Sequence, residues 1–202
     1  MKKLLLSALA LTSIAAMNTS TAQIADGSVA PNFTGVDLNG NSHTLANYLN
    51  AGKTVILDIS ATWCGPCWNY HNTHALGDIY NAYGPEGSDE VMVFYIEGDN
   101  ATTVADLNGT GGNTQGDWVT GTPYPIINSG AIADLYEITY FPTVYRICPD
   151  GLVFECGALS ASQLKTNINS NCGTLTGITN HGEIDGDEIA LCSTNGQATA
   201  EI

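Results

Sequence analysis

The chain has 202 residues, enough for one domain with a sizeable core and a short remainder. Its formal net charge is −15, with 5 Lys and Arg against 20 Asp and Glu. A surface this acidic confers solubility and excludes nucleic-acid binding and attraction to anionic membranes, both of which need clustered cations.

Residues 1–22 carry the pattern of a secretory signal peptide. Lys2 and Lys3 supply a basic start, and residues 4–16 form an apolar run too short to span a bilayer well. Ser20, Thr21 and Ala22 then place small residues before a cut ahead of Gln23, with an uncleaved anchor as the alternative. Removal of this segment leaves Lys53, Arg146 and Lys165 as the basic residues. Export to a periplasmic or extracellular compartment follows, with no membrane attachment after cleavage. It puts all 6 cysteines where disulfides persist.

Residues 23–50 are expected to form a leading strand extension, two short strands around the Asn39-Gly40 turn. His43, just past that turn, is expected at the surface. Residues 53–60 are a near-continuous apolar run, as in a central strand buried on both faces. Asp58 interrupts it. A carboxylate there is either buried, costly and raised in pKa, or turned to water at a strand edge.

That strand runs into Trp63-Cys64-Gly65-Pro66-Cys67 and then into a stretch that can be helical. Cys64 would sit at the helix N-terminus, where unpaired N–H groups and the helix dipole favour a thiolate. Pro66 falls in the first turn, where a missing N–H costs nothing. Cys67, one turn in, is placed to attack a mixed disulfide at Cys64. A structural zinc knuckle would need a second ligand pair, and no other CxxC occurs.

The helix is expected to continue to Tyr83 and stop at Gly84-Pro85, with Leu76, Ile79 and Tyr83 facing the sheet. Such a helix places Cys67, His71 and His74 on one face, which makes a Cys/His metal site a rival reading. The plainer one makes both histidines polar groups on its outer face, and neither metal nor cofactor is expected. Trp68 reads as packing or as a surface facing substrate.

Residues 90–97, EVMVFYIE, are the next strand. Residues 98–122, rich in Gly, Thr and Asn, read as a long surface loop with a short helix near 103–107. A short strand is expected at 124–128 and a short helix at 132–137. Pro142-Thr143 opens a further strand. Residues 144–148 and 152–156 form a hairpin about Pro149-Asp150-Gly151, and a last helix spans about 162–170. Cys148, Cys156, Cys172 and Cys192 allow three pairings. Cys148 with Cys172, stapling the hairpin to the last helix, is preferred. Residues 174–202 are a linker and then an alternating stretch about Asn195-Gly196, the possible start of a further β module.

From Ala30 to Cys172 the chain resembles thioredoxin and, within that superfamily, the TlpA/ResA-like secreted thiol–disulfide oxidoreductases. WCGPC after a strand carries the resemblance. Asp58 six residues before Cys64, Ala30-Pro31-Asn32-Phe33 ahead of Asp37 and Gly40, and the Pro142-Thr143 loop support it. It implies an α/β fold over residues 23–173, a thioredoxin-like three-layer sandwich with a mixed central sheet flanked by helices and an N-terminal strand extension.

It also implies that Cys64 attacks, Cys67 resolves and Asp58 moves the proton of Cys67. Pro142 would be cis beside the redox pair, with Trp63, Gly65, Pro66, Phe141 and Pro142 meeting the substrate. Two positions depart from the pattern. No lysine in 90–97 can reach Asp58, and Tyr70 stands where ResA-type proteins carry a glutamate.

The expected activity is thiol–disulfide exchange on protein thiols and disulfides, supplied by an unidentified thiol electron donor. Gly-Pro between the cysteines resembles reducing thioredoxins, at about −270 mV against about −120 mV for the oxidant DsbA, and so points to reduction. Two rivals belong to other classes: a Cu- or Zn-binding module using Cys64, Cys67, His71 and His74, and a non-catalytic interaction domain. A peroxiredoxin is excluded, because Arg146 alone cannot be read as a peroxide pocket.

Overall fold

Every position of β4 (Thr54–Ser60) and β5 (Val91–Glu97) is buried, so these two strands are the centre of the molecule. Their β-branched and aromatic residues suit a sheet covered on both faces. A computed structural model describes residues 23–177. The expected signal peptide, the expected C-terminal β stretch about Asn195-Gly196 and Cys192 lie outside the described residues.

Ahead of β4 come β1 (Ser28–Val29), β2 (Thr34–Val36), β3 (Ser42–Thr44) and α1 (Leu45–Asn50). Between β4 and β5 lie α2 (Gly65–His71) and α3 (Ala75–Tyr83). After β5 follow α4 (Val104–Leu107), β6 (Ile126–Asn128), α5 (Gly130–Leu135), β7 (Thr143–Ile147), β8 (Leu152–Glu155) and α6 (Ala161–Asn171).

The main sheet has the order β1-β8-β7-β4-β5-β6. β4, β5 and β6 are parallel, whereas β7, β8 and β1 join antiparallel. The sheet is therefore mixed, as expected of the thioredoxin-like sandwich. Alternation along the central strands splits the core. Ile56, Val93, Tyr95 and Val144 pack with Leu76 and Ile79 of α3 and Leu164 and Ile168 of α6. Val55, Leu57, Ile59, Phe94 and Ile96 face Leu45 of α1 and Ile132 of α5 on the other side. Asp58 has the parity of Ile56, so it points to the α2–α3–α6 layer.

Three expectations are corrected. The stretch after Cys67 is two helices, because His74 takes a left-handed backbone at φ 57°. Just before it, the Thr73 hydroxyl donates to the Tyr70 carbonyl and accepts from the Ala75 N–H, local bonds that compete with the helix ladder. Cys67, His71 and His74 consequently share no continuous helical face. Among the described residues no group of three His, Cys, Asp or Glu side chains is placed to hold a metal ion.

His43 is buried rather than at the surface. The β2–β3 hairpin turns at Gly40, φ 87°, and alternation along β3 sends His43 inward against Phe94. Its Nε2 lies 3.0 Å from Asp37 Oδ2 and its Nδ1 2.6 Å from the Tyr48 hydroxyl, which supplies the partners that burial demands.

The long segment after β5 does not merely skirt the surface. Trp118 is fully buried, packed against Trp68, His71 and Tyr95 with ring centroids 4.9 to 5.4 Å apart. His71 is thereby drawn in between Trp68 and Trp118 instead of lying on an outer face, and burial, reinforced by neighbouring His74, pushes its pKa down to about 4.

Candidate active site

β4 delivers the chain to Cys64, and α2 begins immediately after it. Cys64 is the N-cap of α2 in extended backbone, and Gly65 and Pro66 fill its first turn. The Cys64 sulfur accepts the Cys67 N–H at 3.2 Å, the place a serine or aspartate oxygen takes in an ordinary cap. Cys64 and Cys67 form a disulfide, with Cα atoms 5.3 Å apart. Both residues are buried, whereas Pro66 and Trp63 are exposed and Gly65 is half-buried. When the bond opens, the same N–H and the helix dipole favour a negative sulfur at Cys64.

Trp63 is held on both sides. Its indole N–H donates to Asp99 Oδ2 at 2.7 Å, and its carbonyl accepts from the Gln115 side chain at 2.9 Å. Its ring meets Phe141 edge-on at 6.0 Å. The Phe141–Pro142 peptide is cis, and both residues are half-buried beside the exposed Tyr140. Phe141 is seated over Gly98, where an added Cβ would stand 2.7 Å from its ring. Trp63, Phe141 and Pro142 thus form a partly exposed surface next to Cys64 in the chain, and Pro66 is exposed in the first turn of α2.

Asp58 is fully buried below this surface and accepts the Ser60 hydroxyl at 2.6 Å. Burial raises its pKa to about 7 against the pull of Ser60, and the negative charge of Glu97 adds to the rise. The strand register puts Tyr95 directly across from it. Tyr70, Tyr124 and Cys156 belong to the core layer that Asp58 faces. Tyr70 donates its hydroxyl to the Leu159 carbonyl at 3.0 Å.

Glu97, Gly98, Asp99 and Gln115 are the site-forming residues that sequence reasoning passed over. Glu97 is fully buried at the end of β5. It accepts the Thr62 N–H at 2.9 Å, the Tyr95 hydroxyl at 3.1 Å, the Thr102 hydroxyl at 3.0 Å and the Asp99 N–H at 3.1 Å. Burial still pushes its pKa up to about 7. A signal was present: a carboxylate closing an apolar strand at the parity of Tyr95.

The other cysteines stand apart from this pair. Cys148 and Cys172 form a disulfide that joins the end of β7 to the C-cap of α6. Cys156 has no disulfide partner among the described residues, and burial pushes its thiol up to about 12, too high for a reactive thiolate.

Comparison with known proteins agrees with this geometry. The family model described as Redoxin matches residues 25–133, more than half of the chain. A thiol-disulfide oxidoreductase ResA from Geobacillus thermodenitrificans is 28% identical over 169 residues, 83% of this chain and 90% of the relative. The ResA of Bacillus subtilis is 26% identical over 148 residues, 72% of this chain and 75% of its own. Among solved structures, the thioredoxin domain of a thiol-disulfide oxidoreductase from Bacteroides vulgatus is similar in fold, with a TM-score of 0.54 at 22% identity. It covers 74% of this chain and 99% of that domain. With its WCGPC helix start and mixed helix-flanked sheet, the chain belongs to the redoxin family, among its thioredoxin-like oxidoreductases.

Proposed function

We propose that the protein is an exported thiol–disulfide oxidoreductase that reduces disulfides of protein substrates. The observation that carries this reading is the Cys64–Cys67 disulfide at the start of α2, with Cys64 as the N-cap and its sulfur already on the Cys67 N–H. In the reduced enzyme the Cys64 thiolate attacks a substrate disulfide and forms a mixed disulfide. Cys67 then attacks the Cys64 sulfur, releases the substrate thiol and closes the Cys64–Cys67 bond. Asp58, buried and close to half-ionised near neutral pH, is the group suited to take the Cys67 proton. Trp63, Gly65, Pro66, Phe141 and Pro142 receive the substrate chain.

The reducing direction rests on Gly-Pro between the cysteines, the dipeptide that resembles thioredoxins of low potential. Export to the periplasm or beyond rests on the character of residues 1–22, and no described helix is long and apolar enough to cross a membrane. A thiol donor must return electrons to the pair after each cycle.

The test is the equilibrium of the Cys64–Cys67 pair with glutathione, together with insulin reduction, on protein lacking residues 1–22. A potential near about −270 mV, with activity lost in Cys64→Ser, is expected. A value near about −120 mV would reverse the direction. A pair that does not cycle at all would remove the oxidoreductase reading.

A further inference from the structure

Two buried acids, Asp58 and Glu97, lie on the strands behind the turn that carries the redox pair. Asp58 and Glu97 lie on neighbouring parallel strands, where Asp58 pairs with Tyr95 and Ser60 with Glu97, so all four side chains share one face. Tyr95 stands opposite Asp58 and donates its hydroxyl to Glu97 Oε2. Glu97 in turn holds the Thr62 N–H, two residues ahead of Cys64. Neither carboxyl forms an ion pair among the described residues.

In the core layer that they face stand Tyr70 from α2, Tyr124 from the approach to β6 and Cys156 just after β8, with Thr62, Asp99 and Thr102 around Glu97. The cation on this face is buried Arg146 of β7, which pairs with Ile56, donates to Asn167 Oδ1 at 2.6 Å and stacks over the Phe154 ring, and it forms no ion pair with either carboxyl. A negative charge at Glu97 is therefore held by the four donors of Thr62, Tyr95, Asp99 and Thr102 but by no ion pair among the described residues, and it faces both Asp58 and the turn that carries Cys64.

We propose that Glu97, bridged by Tyr95, is a positioning residue that makes the redox balance of Cys64–Cys67 pH-dependent, because its ionised form disfavours the Cys64 thiolate and the ionised Asp58. This rests on the oxidoreductase reading above. In exchange with glutathione, two glutathione thiols become one glutathione disulfide. The Cys64–Cys67 bond opens to a Cys67 thiol and a Cys64 thiolate, and one proton leaves to solvent. With Glu97 ionised, the products hold one more negative charge beside an existing one. With Glu97 protonated they do not.

The experiment measures that equilibrium from pH 5 to pH 8.5 for the wild type, Glu97→Gln and Tyr95→Phe. Gln keeps the shape and one acceptor oxygen. The reduced form of Glu97→Gln should gain roughly three- to tenfold at pH 8, as expected for one charge at partly screened range, and should match the wild type at pH 5.5. Tyr95→Phe removes one donor from Glu97 and should move the wild-type break to higher pH, which tests the idea even if Glu97→Gln fails to fold.

A Glu97→Gln curve superimposed on the wild type, or offset equally at every pH, would overturn the proposal. So would a Tyr95→Phe break at the wild-type pH. A wild-type pair that never equilibrates would instead strike the oxidoreductase reading beneath it.

Discussion

Replacing Asp58 with Asn should stabilise the protein at pH 8 relative to pH 4. Asp58 is buried, and its pKa rises from 3.8 to about 7 on folding. A carboxyl raised in this way favours the fold only while protonated. Its ionisation costs nothing below pH 3.8, costs progressively more between there and about 7, and is constant above. The rise corresponds to about 4 kcal/mol at pH 8. Asn keeps an oxygen for the Ser60 hydroxyl, but its NH2 group needs an acceptor, at roughly 1–3 kcal/mol if none is found.

That second cost is independent of pH, so it cancels when the two pH values are compared. For a domain of this size, about 4 kcal/mol is roughly 8–16 °C in Tm. Thermal or urea unfolding of oxidised wild type and Asp58→Asn at pH 4 and pH 8 measures it directly. Turnover should move the opposite way, with resolution of the mixed disulfide slowed about tenfold or more by loss of the proposed base. A Tm difference that is the same at both pH values would show that Asp58 does not carry a raised pKa, and the proton-transfer role would fall with it.

Two further perturbations test other parts of the site and its support. Gly98→Ala places a Cβ 2.7 Å from the Phe141 ring, so it should cost roughly 1–3 kcal/mol in urea unfolding and raise KM for a disulfide-bonded peptide severalfold. Unchanged stability and KM would mean that Phe141 does not shape the substrate surface. Replacing Cys148 and Cys172 together with Ser opens a loop of sequence separation 24 and should cost roughly 3 kcal/mol in the same assay. A double variant as stable as the wild type would show that this link contributes nothing to the fold.

Much of the redox site was legible along the chain because its parts are local. A strand that runs into a cysteine, with Gly and Pro in the next turn, determines a helix start, and a helix start determines where a thiolate is favoured. Asp58 could be picked out because a carboxylate within an apolar run is conspicuous, and Pro142-Thr143 because the chain turns there into a strand. Hairpin chemistry at Asn39-Gly40 and Asp150-Gly151 placed β2–β3 and β7–β8 for the same reason.

Other features depended on what lies across space. Thr73 had two backbone partners that outcompete a helix only in the folded chain, so the break at His74 and the loss of a shared Cys67–His71–His74 face were invisible. His43 was buried by the hairpin's seat on the sheet, and Trp118 by the docking of a Gly- and Thr-rich segment that composition alone marks as loop. Glu97 became part of the site through strand register, which brings Tyr95 across from Asp58 and leaves a second carboxyl behind the turn before Cys64. Spacing along one strand sets which face a side chain takes. Which side chain it meets there is set by the pairing of strands distant in sequence, and only the tertiary structure decides that.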